Sequence, residues 1–292
     1  MKLSFLIVTK NRPDDLSFTL NKLKSLIDLS LHEVLVFIDD CKTTEAIVHQ
    51  FDWVNWTISK KPLSASPSRS VLYKKAKGAV FIGLDDDAHP ISEGFINNVE
   101  KEFGNNERLG IIAFQEVRGL FKTDGVALQY AKLNESYFTN DFIGCGFAIR
   151  KSVYNITNGF PVWINIYGEE PALALEVLNL NYQILFCHNI VVNHRIDIEK
   201  RKLKGRNYFR FEQQLRNSIR CYLVYYPNPI IKIVKLLVHN FGKYALSDFK
   251  YFKLFFKVCF STLFQIFNIL KYRRPIKKST LQHRLTLRDL KY

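Results

Sequence analysis

The sequence is short of glycine (13 of 292 residues) and proline (9), and it contains no internal repeat or low-complexity tract. Those shortages exclude collagen-like, linker-like and disordered chains. With 47% apolar and 24% charged side chains, the composition is globular. The length suits one large α/β core, or a core of about 200 residues followed by an appendage. Cysteine is scarce and scattered: Cys41, Cys145, Cys187, Cys221 and Cys259 are odd in number and form no C-x-x-C pair. A disulfide framework and a structural zinc site are therefore not expected, and a reducing compartment is. Long apolar runs are also missing. The opening run from Leu3 to Val8 gives way to Thr9-Lys10-Asn11, too short for a signal-peptide core or a membrane span.

Acid is what the C-terminal third lacks. From Lys200 to Tyr292 there are 22 Lys and Arg against 3 Asp and Glu, whereas the 199 residues before them hold 20 basic and 24 acidic residues. The chain is almost neutral in front and strongly cationic behind. Such asymmetry suggests an anionic partner for the tail, either nucleic acid or a membrane surface.

The apolar runs that are present alternate with helical stretches. Lys2 to Val8 ends in Thr9-Lys10-Asn11-Arg12-Pro13, which predicts a buried strand, a loop and a helix opening near Asp14. Glu33 to Ile38 repeats the pattern and stops at Asp39-Asp40. Two such strands around a helix predict βαβ units of a parallel sheet, in which ligands bind at the carboxyl ends of the strands. Arg69 falls in a helical stretch to Lys77, Gly78 breaks it, and a third strand, Ala79 to Leu84, runs into Asp85-Asp86-Asp87. Further on, Phe142 to Arg150 reads as a glycine-interrupted strand through Gly144-Cys145-Gly146. Gly168-Glu169-Glu170-Pro171 opens a helix to Leu180, and a last strand from Ile184 to Val192 ends at His194.

Three adjacent aspartates at a strand end repel one another and raise one another's pKa, so something cationic should offset them. Oxygen ligands in that place suit Mg²⁺ or Mn²⁺, hard ions that bridge protein carboxylates to substrate phosphates. A solvated acidic turn is the plain alternative.

Taken in order, Ile7-Val8-Thr9-Lys10-Asn11-Arg12-Pro13, Val36-Phe37-Ile38-Asp39-Asp40, Leu84-Asp85-Asp86-Asp87, Gly168-Glu169-Glu170 and Val192-Asn193-His194 resemble family 2 glycosyltransferases of the GT-A fold over roughly residues 1 to 220. The resemblance implies a Rossmann-like, mixed but mainly parallel α/β sheet flanked by helices over residues 1–199. Residues 200–292 would then form a basic amphipathic helical extension. It implies an inverting, non-processive transferase that moves a sugar from a nucleoside-diphosphate donor, with UDP or dTDP favoured over GDP, to a glycolipid or oligosaccharide acceptor in surface-polysaccharide assembly.

Residue by residue, the resemblance implies that Thr9, Asn11, Arg12 and Asp39 cradle the base and ribose, and that Arg69 faces the diphosphate. The usual Arg-Asn pair is Arg69-Ser70 here. The D-x-D corresponds to Asp85 and Asp87, with Asp87 the direct metal ligand, Asp85 or Asp86 on the ribose side, and His194 a further ligand for Mn²⁺ or Mg²⁺. Inversion needs one base for the acceptor hydroxyl; Glu170 takes the family's Asp position and Glu169 is the second candidate. Gly144-Cys145-Gly146 would let backbone approach the sugar or acceptor. Trp163 and Tyr167 could stack on an acceptor sugar or belong to the core, and Arg216 and Arg220 could hold phosphate or acceptor. Processive relatives carry Gln-x-x-Arg-Trp where this chain has Gln213-Gln214-Leu215-Arg216-Asn217.

Between Ile230 and Leu270, lysines interrupt a sequence rich in Ile, Leu, Val and Phe. Lys250, Lys253 and Lys257 form a basic stripe on a Phe-rich helix, the pattern of an interfacial helix held by anionic lipid. Arg273-Arg274 and Lys277-Lys278 extend the patch, so residues 230–278 are expected to meet an anionic membrane surface from the cytoplasmic side. The alternative is a helix packed on the catalytic unit with its lysines solvated. Two other classes compete. A sugar nucleotidyltransferase would open with a Gly-rich phosphate loop, yet no glycine lies between Leu3 and Arg12. A nucleic-acid-binding protein could use the tail's charge, but no recognition motif supports it and no nucleic acid is expected.

Overall fold

The computed structural model describes residues 2–291. The chain runs β1 (Leu3–Thr9), α1 (Pro13–Leu26), β2 (Glu33–Asp39), α2 (Lys42–Glu45), β3 (Asn55–Ser59), α3 (Ala65–Tyr73), β4 (Val80–Asp85), β5 (Ala88–Pro90), α4 (Phe95–Asn105) and β6 (Leu109–Arg118). It continues through α5 (Asp124–Leu128), β7 (Tyr137–Phe138), β8 (Gly146–Arg150), α6 (Lys151–Ile156), α7 (Glu169–Asn179) and β9 (Gln183–His194). Helices follow: α8 (Ile198–Leu203), α9 (Tyr208–Tyr225), α10 (Pro229–Lys243), α11 (Phe249–Phe264), α12 (Ile266–Leu270) and α13 (Lys278–Thr286).

The strands form one sheet in the order β3-β2-β1-β4-β8-β6-β9-β5, with β7 also pairing with β9. The strands β1, β2, β3, β4, β6 and β9 run one way, and β5, β7 and β8 run against them. Six of β1's seven residues are buried, because a central strand covered on both faces needs apolar side chains at nearly every position. The register sets Val8 of β1 against Asp85 of β4 and Thr9 beside Ile38 of β2, so Thr9, Asp39 and Asp85 reach the same sheet edge.

Two expectations need correction. Of the apolar run from Phe142 to Arg150, only Gly146–Arg150 is a strand, antiparallel to both β4 and β6, and the residues before it form a loop. The sheet also contains β3, β5, β6 and β7, which the apolar runs did not reveal.

Helices cover both faces. Leu16, Leu20 and Leu23 of α1 and Phe95, Val99 and Phe103 of α4 pack with Leu3, Phe5 and Ile7. Leu72 and Tyr73 of α3 and Leu173, Ala174 and Val177 of α7 pack with Leu6 and Phe81 on the other side. A third cluster joins Phe211, Leu215 and Ile219 of α9 and Phe255 and Val258 of α11 to Trp163, Ile164, Ala172 and Leu175. Buried Glu176 fastens the same junction: its carboxylate accepts hydrogen bonds from the Asn158 amide (2.7 Å) and the Tyr225 hydroxyl (2.7 Å). The last residues return to the sheet, where Thr139 donates to the Arg288 carbonyl (2.8 Å) and Leu287 and Leu290 pack on the second cluster.

A core shared in this way makes the helical region unfold with the sheet. Leu215→Ala, at a side chain 2% exposed, is expected to cost about 2–5 kcal/mol. Urea denaturation followed by circular dichroism should keep a single transition with a lowered midpoint.

Candidate functional site

The acidic edge is assembled from the end of β4, the start of α7 and the ends of β6 and β9. Asp86 and Asp87 are buried, and the required cation is Arg12, whose Nη1 lies 2.9 Å from Asp86 Oδ1 and 2.7 Å from Asp87 Oδ2. The Thr9 hydroxyl donates to Asp86 Oδ2 (2.8 Å). Burial pushes the Asp86 carboxyl up to about 7 in spite of Arg12. Burial acts on Asp87 in the same sense, but the His194 imidazole, Arg12 and Arg195 outweigh it and hold Asp87 below its ordinary value.

His194 lies between two acids. Its Nε2 is 3.2 Å from Asp87 Oδ1 and its Nδ1 is 2.5 Å from Glu116 Oε1, while Glu116 Oε2 pairs with Arg118 (2.8 Å). Burial would lower the imidazole pKa, but contacts with Asp87, Cys145 and Glu116 push it up to about 12. Asp87 Oδ1 is buried and makes no hydrogen bond of regular geometry, with His194 Nε2 as its neighbour at 3.2 Å. Asp85, Asp87 and His194 offer two carboxylate oxygens and one imidazole nitrogen, all within 4.8 Å of one another. That donor set fits Mn²⁺ or Mg²⁺. Glu116, Cys145 and His194 form a second group of similar spacing.

Arg69 of α3 joins this edge to the acids of α7. Its Nη2 is 2.9 Å from Asp85 Oδ1, and its Nη1 is 3.0 Å from Glu170 Oε1 and 3.3 Å from Glu169 Oε1. Glu169 is 3% exposed at its side chain and Glu170 17%, so Glu170 is the more accessible of the two. Burial, reinforced by the charge of Glu170, pushes Glu169 up to about 8 against the pull of Arg69. The turn into α7 uses positive φ at Tyr167 (66°) and Gly168 (121°). Buried Asn217 holds that turn by donating to the carbonyls of Ile166 (2.8 Å) and Tyr167 (2.9 Å). Gly144 lies against the same cluster: a Cβ there would sit 2.3 Å from Glu170 Oε1 and 2.8 Å from Arg69 Nη2. The close approach that this Gly144-Cys145-Gly146 segment permits is therefore to the Arg69–Glu170 pair.

The remaining sequence candidates are more dispersed. Asn11 takes a positive φ (58°), and its amide donates to Cys41 Sγ (3.1 Å). Asp39 accepts from the Leu63 (2.6 Å) and Ser64 (3.1 Å) amides and from Lys10 (3.3 Å), which pins that loop to the end of β2. Trp163 is buried beside Tyr225 and Tyr272, whereas Tyr167 is half-buried near Phe209 with the Arg210 guanidinium over its ring. Arg216 pairs with Glu212 (2.6 Å), and Arg220 donates to the Trp163 carbonyl (2.9 Å). Sequence reasoning missed Glu116 and Arg195. Arg195 donates to the Asp15 carbonyl (2.9 Å) and the Thr19 hydroxyl (2.8 Å), and it also contacts His89 (2.7 Å).

Glu169 has an ordinary pKa near 4.5, so the folded chain keeps a proton that the unfolded chain releases. Its contribution to stability is complete below about 4.5 and is lost as pH rises through about 8. Glu169→Gln should flatten the decline of the urea midpoint between pH 5 and 9 (roughly the window set by those values). An unchanged slope would count against a protonated Glu169.

Neither a family model nor a curated protein sequence matches the chain. Its fold is similar to GalNAc-T7 with UDP, GalNAc and Mn²⁺ (TM-score 0.63, 16% identity), over 80% of this chain but only 49% of that one, so the chain spans about half its length. It is also similar to the mannosyltransferase PcManGT from Pyrobaculum calidifontis in complex with GDP-Man and Mn²⁺ (TM-score 0.59, 12% identity, 97% of this chain and 83% of that one). A third similar structure is S. aureus TarS residues 1–349 in complex with UDP-GlcNAc (TM-score 0.57, 14% identity, 83% and 73%). The shared architecture is the mixed sheet flanked by helices on both faces: the chain has the GT-A fold.

Proposed function

We propose that this chain is an inverting, metal-dependent glycosyltransferase that moves one sugar from a nucleoside-diphosphate donor to a lipid-linked or oligosaccharide acceptor of cell-surface polysaccharide. The observation that carries the reading is the pair of clusters at one sheet edge, Asp85/Asp87/His194 and Arg69/Glu169/Glu170, with Asp85 and Arg69 in contact between them (2.9 Å). Thr9, Asn11, Arg12, Asp39, Arg69, Asp85 and Asp86 form the nucleotide side, with UDP or dTDP preferred to GDP.

A bound Mn²⁺ or Mg²⁺ supplies positive charge to the departing diphosphate. Glu170 accepts the proton of the acceptor hydroxyl as its oxygen bonds to the anomeric carbon, opposite the bond to the diphosphate that breaks. Arg69 holds Glu170 in position, and Glu169 is the second candidate for the base. Glu116 fixes His194 by accepting a hydrogen bond from its Nδ1, and a metal held at Nε2 would replace the proton that now faces Asp87.

The helical region supplies the membrane side of the proposal. Among the described residues no helix is long and apolar enough to cross a membrane. Yet α10, α11 and α12 expose a series of large apolar side chains, from Ile230 (73%), Ile231 and Val238 to Phe264 (86%) and Phe267. Exposed Lys235 and Lys253 lie among them, whereas Lys257 is engaged with Glu212 (2.9 Å). Apolar side chains flanked by lysines fit an anionic lipid surface on the cytoplasmic side, with 230–278 lying in the headgroup layer.

A thermal-shift series against UDP, dTDP, GDP and CMP, each with Mn²⁺ or EDTA, tests the donor side. One diphosphate at about 100 times its Kd should stabilise the fold by about 2.7 kcal/mol. The metal-dependent part should vanish in Asp87→Ala, and Glu116→Gln should need about 10- to 100-fold more Mn²⁺. Absence of any nucleotide shift would sink the transferase reading. For the membrane side, Lys235→Glu with Lys253→Glu should weaken co-flotation with phosphatidylserine vesicles by at least about 30-fold, at about 1 kcal/mol per lysine. Equal flotation would remove the lipid surface from the proposal.

A further inference from the structure

Outside the acidic cluster, a cavity of about 380 Å³ is lined by Asn140, Tyr226, Lys232, Arg284, Leu285 and Asp289, with other residues of α13. One wall belongs to the loop that runs on to the proposed base. Asn140 Nδ2 donates to Asp289 Oδ1 (2.7 Å), and four residues later the Gly144 carbonyl accepts from Arg69 Nη2 (3.4 Å), with Glu170 so close that no Cβ fits. Asp141, between them, is half-buried; desolvation of its carboxyl pushes it up to about 7, with Arg284 pulling down from one cluster and Glu170 raising it from the other. The cavity and the acidic edge are thus joined by a single loop.

The polar groups of the cavity are unevenly satisfied. Asp289 is held by Asn140, as described. Among the described residues Arg284 has only the Tyr226 hydroxyl as a hydrogen-bond partner, at Nη1 (3.2 Å), and its Nε is buried with no partner. Among the described residues no carboxylate lies within ion-pair distance of Arg284 or of Lys232. A buried, unmade hydrogen bond on a guanidinium is costly, and the planar fork matches phosphate or carboxylate oxygens two at a time. A neutral sugar hydroxyl would leave most of that fork unanswered, whereas an oxyanion answers it and is also attracted by the exposed Lys232.

We infer that this cavity is the acceptor subsite and that the acceptor carries an oxyanion, a phosphate or a carboxylate, gripped by Arg284 with Lys232 as the second cation. The presentation of an acceptor hydroxyl to Glu170 rests on the transferase reading above; oxyanion binding in the cavity does not. Lys232 belongs to α10, the helix that exposes Ile230, Ile231 and Val234. An oxyanion attached to a membrane lipid therefore reaches the cavity from the same side as the proposed headgroup contact, and one on a soluble saccharide reaches it as readily.

The test is calorimetric titration of the full chain, with the donor side first filled by Mn²⁺ and the diphosphate that gives the largest thermal shift. The probes are glucose 6-phosphate, glucuronate and methyl glucoside, which separate phosphate from carboxylate and both from a neutral ring. At least one charged sugar should bind at least about tenfold more tightly than the neutral one, the equivalent of about 1.4 kcal/mol. Arg284→Gln should abolish that preference, Lys232→Ala should reduce it about threefold, and the nucleotide shift should survive in both. Should Arg284→Gln lose its cooperative thermal transition, Lys232→Ala, at an exposed position, carries the test alone. Equal binding of charged and neutral sugars, no binding of any of the three, or charged-sugar binding indifferent to the variants that fold would overturn the inference. Without any nucleotide shift the titration runs on the protein alone. Arg284-dependent binding there would keep the oxyanion cavity while the transferase reading fell.

Discussion

Carboxylates gathered at one edge of a sheet cannot stay ionised together unless cations are built in beside them, and the geometry of this site follows from how that is done. Asp85, Glu169 and Glu170 share the buried Arg69, while Asp86 and Asp87 share Arg12. Each arginine does more than neutralise. Arg69 reaches from the end of β4 to the first turn of α7, and so fixes the distance between the proposed metal ligands and the proposed base. Arg12 uses only Oδ2 of Asp87, which leaves Oδ1 beside His194 for another cation without breaking the existing pair. Protonation absorbs what the arginines leave over, since Asp86 and Glu169 are both pushed up by burial.

How much of this was legible depends on whether a residue's partners are local. The strands β1, β2 and β4 announce themselves because a strand buried on both faces must be apolar throughout, and the polar residues that follow them are then read as an edge. β6 lies deep in the sheet yet was missed, because Gln115 and Glu116 interrupt its apolar run. Those polar groups rely on tertiary contacts, Gln115 with Leu133 (2.8 Å) and His188 (2.6 Å), and Glu116 with His194 (2.5 Å) beside its local pair with Arg118. β3 offers few buried positions, and β5 and β7 are only three and two residues long, too short for any period to show. Phe142 to Cys145 has the composition of a strand but is held as a loop by the cluster it covers. The contribution of Glu116 could not be read at all before β6 and β9 were paired, since their register, with Glu116 opposite Val192 and Arg118 opposite His194, is what brings acid and imidazole together.

The basic tail is a sequence feature whose meaning changes once folded. Read as a string, its charge suggests an appendage seeking an anion. Folded, its apolar residues complete a core with Trp163, Ala172 and Leu175, and its Asn217 fixes the turn that aims Glu169 and Glu170. The cations are what remains outside that core. Some are consumed internally, as Lys257 is by Glu212 and Arg206 by Asp248. Of those left over, Lys235 and Lys253 lie among the exposed apolar side chains of α10 and α11, and Arg284 and Lys232 line the cavity. A long-range field from 22 basic residues against 3 acidic ones draws anions to this half of the molecule whatever their identity. That field falls off over about 8 Å at physiological salt and cannot select a substrate by itself. Selection needs a desolvated cation with an unmade hydrogen bond, and Arg284 at the cavity wall is such a group.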